Sequence, residues 1–224
     1  MERHFDEELR HLKDEILRMG SMVEEAISRA VKALVDRDAV MAESVIKADE
    51  AINMLELEVE EECLRLLALR QPAAADLRFI VMVLKINNDL ERMGDLAVNT
   101  AERALELLRQ PPLKPLLDIP RMAQMAQAMV KDCLDAFVQA NADRARSICL
   151  RDDQVDQLND QVFRELLTYI MQDPTVTTRA VDLILVGRYL ERIADHATNI
   201  SEDVIYMVQG KTIKHHIEEK QQVP

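Results

Sequence analysis

LERMGDLAVN at residues 90–99 returns as LERIADHATN at residues 190–199, with Leu, Glu, Arg, Asp, Ala and Asn kept at six of the ten positions. The chain reads as an internal duplication. Each copy preserves two carboxylates at i and i+4 and an amide at i+8. In an α-helix a four-residue step turns about 40° beyond a full circle, so Glu91, Asp95 and Asn99 share one face, as do Glu191, Asp195 and Asn199. Like charges one turn apart repel. A sequence that builds such a pair twice implies a positive charge between them.

The repeat extends well beyond these motifs. An offset of 103 carries Ala33, Val35, Ala39, Ala42, Ser44 and Asp49 onto Ala136, Val138, Ala142, Ala145, Ser147 and Asp152. The same offset carries Leu55, Val59, Glu62 and Leu64 onto Leu158, Val162, Glu165 and Leu167. It drops to 100 at the motifs themselves, a small change in loop length. Pro111, Pro112, Pro115 and Pro120 fall between the copies, in a stretch that cannot be one continuous helix.

Helical periodicity fills both halves. Leu9, Leu12, Ile16, Met19, Val23, Ile27, Ala30 and Leu34 follow the 3-4 spacing of a left-handed bundle, as do Met41, Val45, Ala48, Ile52, Leu55, Val59 and Leu66. The expected helices are 5–37, 39–70 and 73–108, then 119–140, 142–172 and 175–209. Breaks are expected at Asp36 to Asp38, at Gln71-Pro72 and at Asp173-Pro174, with Asp173 as an N-cap and Pro174 at the first helical position. Gly210 suits the end of the last helix, and the polar tail KTIKHHIEEKQQVP follows it. The expected fold is all-α: two tandem three-helix bundles, six long antiparallel helices in all. The first bundle takes residues 1–112, and the second, with the tail, residues 113–224. Whether a pseudo-twofold or a simple tandem step relates the bundles is open at this stage.

Composition agrees with long helices. Of 224 residues, 48% are hydrophobic but only 3% aromatic, with four glycines and no Trp. The net charge of −13 argues against non-specific nucleic-acid binding, which needs a basic footprint. Cys63, Cys133 and Cys149 are odd in number and lack CxxC spacing, so they read as reduced, half-buried residues of a cytosolic protein. The charged start, MERHFDEELR, is not expected to be a signal peptide. The longest strongly apolar run, Phe79 to Leu84, is too short to span a bilayer, so membrane contact is expected only through a partner.

The acidic stripes have an ordinary explanation as solvated helix faces. Arg92 stands three residues before Asp95, and Arg188 three before Glu191. Glu91, however, has only Asn87, Asn88, Gly94 and Asp95 at its helical neighbours. A small residue, Gly94 or Ala194, sits inside each stripe, where Gly costs about 1 kcal/mol relative to Ala. It leaves room for a neighbouring helix or a hydrated ion. Asp49 and Asp152 lie beside the apolar seams of the preceding helices, with no cation three or four residues away. Together each half offers an anionic, all-oxygen set, the ligand type of hard cations such as magnesium, manganese or iron. His196 could add a nitrogen and widen the choice to zinc. A histidine there otherwise reads as a surface residue.

KINNDLERMGDLAVNTAER and GRYLERIADHATNISED closely resemble the paired signatures of the PhoU family, and the resemblance runs over nearly the whole chain. It implies two three-helix bundles and multinuclear metal binding through E/D-xxx-D motifs. By motif, the implied metal residues are Glu91, Asp95 and Asn99 with Glu191, Asp195 and Asn199; Asp49 and Asp152 match the acidic position of the preceding helix. The resemblance further implies a cytoplasmic negative regulator of phosphate uptake and of the phosphate-starvation response. Its partners would be the ATPase subunit of a phosphate ABC importer and the membrane sensor histidine kinase of a two-component system, with a homodimer expected and no enzymatic activity. Ala194 departs from the glycine frequent at that position, and Asn53 stands opposite Asp156 in the duplicated segment.

Two other functions fit parts of the pattern. A di-iron redox protein would need two E-x-x-H motifs, and only Glu8-Leu9-Arg10-His11 has that spacing. A metal-free acidic scaffold would leave the stripes as solvated surface. No nucleophile triad and no glycine-rich phosphate loop is visible. No cationic pocket is evident, so direct phosphate binding is not expected. Arg92 and Arg192 read as surface ion-pairing residues, with contact to an acidic partner group as the alternative.

Overall fold

The computed structural model describes residues 2–211; residues 212–224, which hold most of the expected polar tail, lie outside them. The first half folds as α1 (Glu2–Asp36), α2 (Ala39–Arg70) and α3 (Ala74–Leu108). The second folds as α4 (Asp118–Gln139), α5 (Ala142–Cys149), α6 (Asp152–Gln172) and α7 (Thr177–Gln209), with a 3-10 turn over Pro174–Val176 before α7. No strand occurs among the described residues.

Local chemistry ends the helices where the sequence suggested. Asp38 accepts the Met41 N–H at 2.9 Å, and its counterpart Asn141 accepts the Arg144 N–H at 3.0 Å. The residues just before them, Arg37 and Ala140, reverse the chain at φ +58° and +48°. Arg37 also donates at 2.8 Å to the carbonyl of Leu108, an acceptor that α3 leaves open at its end, and at 2.7 Å to that of Gln110 just beyond it. Asp173 caps as expected, accepting the Thr175 N–H at 3.0 Å with Pro174 following, but the turn it opens is 3-10 and α7 begins only at Thr177. Gly210 closes α7 at φ +67°.

One element departs from expectation. The helix read over 142–172 is broken at Leu150-Arg151, whereas α2 runs straight through the corresponding Lys47 and Ala48. The cause lies on α4. Arg151 pairs with Asp132, and Arg144 reaches Asp132 at 3.0 Å and Asp135 at 2.8 Å. Met41 and Ala48 stand at the equivalent places in α2 and can make no such bonds. The break leaves Leu150 75% exposed and puts Asp152 in the first turn of α6.

The arrangement of the halves follows from contacts across their boundary. Arg78 donates to the Met207 carbonyl, Lys85 pairs with Asp203 at 2.8 Å, Asp89 meets His196 at 2.8 Å, and Arg103 pairs with Asp182 at 3.1 Å. As numbers rise along α3 they fall along α7, so the two helices are antiparallel. Lys13 on α1 likewise reaches the Val138 carbonyl on α4, while Gly20 lies beside Leu134. A simple tandem step would set α3 parallel to α7, so the bundles are related by a pseudo-twofold. Their apolar faces merge into one continuous core, from Leu12, Ile16 and Met19 on α1 to Ile193, Ile200 and Val204 on α7. Among the described residues no helix is long and apolar enough to cross a membrane.

The halves pack tightly at Gly20, where an added Cβ would lie 2.2 Å from Leu134 Cδ1. Gly20→Val is therefore expected to lower the unfolding free energy by about 1–3 kcal/mol in chemical denaturation. Equal or greater stability would show that α1 and α4 do not pack this tightly.

Candidate metal centre

The first acidic stripe runs along the seam between α2 and α3. Glu91 and Asn99 are half-buried on α3 and Asp95 is exposed; Asp49 and Asn53 face them, half-buried, from α2. Asn53 donates to Asp49 Oδ2 at 2.9 Å, which leaves Asp49 Oδ1 and Asn53 Oδ1 buried without a partner. Burial raises the Asp49 carboxyl above its ordinary range, the Asn53 amide opposes the shift, and the charge of Asp95 adds to it. Glu91 is also raised, first by burial and then by Asp95 and Glu56, with Arg92 opposing and Asp49 adding. Four carboxylates from two helices thus share one field.

Glu56 was not among the expected site residues. It lies seven residues after Asp49, almost the same helical angle, so the signal was present. Asn87 holds it, donating to the Glu56 carbonyl at 2.9 Å and weakly to Glu56 Oε1 at 3.4 Å. Gly94 has a definite role as well. A Cβ there would sit 3.4 Å from Asp49 Oδ1 and from two atoms of Ile52. The room left by the missing side chain is taken by α2, not kept open for an ion.

The second stripe repeats the first, with Asp156 in place of Asn53 and Asn159 in place of Glu56. Asp152 and Asp156, on α6, face Glu191 and Asp195 on α7. Glu191 is 9% exposed with Oε2 unpartnered, and Asp152 Oδ1 is also buried without a partner. Burial, then the charge of Asp195, pushes Glu191 up to about 7 against the opposing Arg188, with Asp156 and Asp152 adding. Asp152 rises to about 6 through burial, then Asp195 and Asp156, while the Thr198 hydroxyl opposes. Asp156 and Asp195 are raised too, chiefly by burial. Asn199 is half-buried like Asn99, and neither amide bonds an acid of its stripe.

The other sequence-derived candidates have different partners. His196 is buried and contacts Asp89 across the α3–α7 interface, so it is neither a surface residue nor aimed into the acidic seam. Glu8, the acid of the lone E-x-x-H, is bound through both oxygens by Arg70 and also meets Arg65 at 3.1 Å. Those arginines hold its carboxyl at about 2, against the cost of burial. Cys63 and Cys133 are fully buried and Cys149 is half-buried; burial raises all three thiols, Cys63 to about 12. None is poised as a thiolate ligand.

Among the described residues, no three His, Cys, Asp or Glu side chains already converge on one ion position. The acids stand apart along their seams, as like charges do. The donors nonetheless fit a hard cation: every candidate ligand atom is an oxygen, and buried carboxylate oxygens at both seams lack any hydrogen-bond donor.

A sequence model described as the PhoU domain matches residues 16–104 and again residues 119–204. The chain is 45% identical over 214 residues to the phosphate-specific transport system accessory protein PhoU homolog of Aquifex aeolicus, covering 95% of this chain and 97% of that protein. It is 35% identical over 211 residues to the phosphate-specific transport system accessory protein PhoU of Escherichia coli, covering 94% and 88%. The crystal structure of PhoU from Pseudomonas aeruginosa superposes with a TM-score of 0.89 at 42% identity, over 92% of this chain and all of that one.

The raised carboxyls determine how the ion-free protein responds to pH. Folded Glu191 and Asp152 keep protons that the unfolded chain, with ordinary carboxyls, has already released. The folded state therefore binds more protons from about pH 4 to 7, and stability falls as pH rises through that window. In chelator, the protein is expected to be less stable at pH 8 than at pH 5 by on the order of 2 kcal/mol. Glu191→Gln should remove much of that slope. Thermal denaturation that is flat or rising over this range would contradict the raised carboxyls of these buried acids.

Proposed function

The chain belongs to the PhoU family, and from that premise we propose that it acts as an accessory protein of a phosphate-specific transport system and as a negative regulator of the phosphate-starvation response. It works as an adaptor in the cytoplasm. One partner is the ATPase subunit of the phosphate importer; the other is the membrane sensor histidine kinase that controls the response. A homodimer presents the bundles in duplicate. No bond is made or broken by the protein in this reading.

The observation that carries the metal-dependent part is the pair of acidic seams with buried, unpartnered carboxylate oxygens. Asp49, Glu91 and Asp95, with Asn99 at the end of the face, would hold ions at the first seam. Asp152, Asp156, Glu191 and Asp195, with Asn199, would hold them at the second. Bound iron, zinc, manganese or magnesium would supply the positive charge that these oxygens lack. The chain's own contribution is mechanical. Each seam joins two helices of one bundle, so neutralising its repulsion fixes α2 against α3 and α6 against α7 and sets the outer surface that a partner meets.

Metal analysis of protein purified without chelator tests this directly. Glu91→Ala with Asp95→Ala is expected to lose the metal of the first seam, and Glu191→Ala with Asp195→Ala that of the second. Binding to the importer ATPase and the kinase should weaken in parallel. Unchanged metal content with unchanged partner binding would favour the metal-free scaffold.

A further inference from the structure

Among the differences between the two seams is the duplicated pair Asn88 and Arg188. Arg188 stands one helical turn before Glu191 and donates to Glu191 Oε1, the only hydrogen bond that this carboxylate accepts among the described residues. The corresponding residue of the first half is Asn88, which is exposed, and Glu91 has no ion pair among the described residues. Arg188 is itself 57% exposed at the side chain, so its guanidinium can leave for water.

The space around this contact also differs between the halves. A cleft of about 320 Å³ opens where Asp156, Asn159 and Asp160 of α6 face Arg188 and Glu191 of α7. Beside it Gly187 lets α6 approach closely: a Cβ there would fall 2.9 Å from Asn159 Oδ1. In the first half Asn87 occupies this position and ties itself to Glu56. Glu191 thus lines an open cleft, nine-tenths buried, with one oxygen on Arg188 and the other on nothing.

We infer that Arg188 is a resident counter-ion of the second seam, competing with a metal cation for Glu191 and releasing it only when the cation takes its place. The inference rests on the cation reading of the seams proposed above. Arg188 is a positioning residue in this scheme. It holds Glu191 in place while no metal is present, and its departure frees Oε1 to join Oε2 on the cation. The first seam has no such competitor, so the two seams answer differently to the same ion.

Manganese titration followed by calorimetry and by electron paramagnetic resonance of free Mn²⁺ tests the inference. The second seam is isolated by Glu91→Gln with Asp95→Asn, and the first by Glu191→Gln with Asp195→Asn. In the isolated second seam, Arg188→Gln should tighten Mn²⁺ binding about tenfold, the factor carried by one interaction of ordinary hydrogen-bond strength. Arg192→Gln removes a nearby exposed charge that bonds no acid of the seam, and should change binding far less. In the isolated first seam, Asn88→Arg should weaken binding by a similar factor. Equal effects of Arg188→Gln and Arg192→Gln would overturn the inference, as would no effect of Arg188→Gln or of Asn88→Arg. Either result leaves the cation reading in place if wild-type protein binds Mn²⁺. Failure of the wild type to bind Mn²⁺ at either seam overturns both.

Discussion

Antiparallel packing of α3 on α7 is the constraint on which the rest of the molecule depends. Each of these helices is the last of its bundle, and each is buried on two sides. One side meets the other helix across the pseudo-twofold; the other meets the middle helix of its own bundle. Leu90, Met93, Ala97 and Ala101 on α3, with Leu190, Ile193, Ala197 and Ile200 on α7, are all buried. The polar contacts between the two helices are few and specific. Lys85 with Asp203 and Arg103 with Asp182 occupy roughly equivalent places on opposite sides of the crossing. Each pair joins a buried aspartate to a partly exposed cation and so selects which residues meet across the crossing.

This packing determines what the acidic stripes can face. With α3 and α7 committed to each other, Glu91 and Asp95 are left toward α2, and Glu191 and Asp195 toward α6. Asp49 and Asp152 then come to them from the facing helices. Carboxylates at such a seam are too buried to be fully hydrated and too crowded by like charge to be content ionised. The raised carboxyls of Glu91, Asp49, Asp152 and Glu191 report that tension. Protons can relieve it at low pH. At neutral pH a cation relieves it better, since one ion can answer several oxygens at once.

Much of this was legible in the sequence because it is local or repeated. The six-position identity between residues 90–99 and 190–199, the 3-4 apolar spacing of α1 and α2, the break at Asp36 to Asp38 and the caps at Asp173 and Gly210 all rest on short-range chemistry. The same spacing rules placed Glu91, Asp95 and Asn99 on one face. What escaped depends on contacts between distant residues. Asp89 and His196 lie 107 positions apart, so a buried partner for that histidine could not be read locally. The break at Leu150-Arg151 is enforced by Asp132 on another helix. The pseudo-twofold follows from pairings such as Lys85 with Asp203, which no periodicity encodes. Glu56 is different: its spacing from Asp49 was visible, but only the facing helix shows that Glu91 shares its field.

The central claim is that duplicated carboxylates at the two seams exist to hold cations. Anomalous diffraction from crystals grown with iron, zinc and manganese in turn tests it most directly. The account expects anomalous peaks beside Asp49, Glu91 and Asp95 and beside Asp156, Glu191 and Asp195, with carboxylate oxygens drawn in around them. Ordered side chains at both seams and no anomalous density under saturating metal would contradict it.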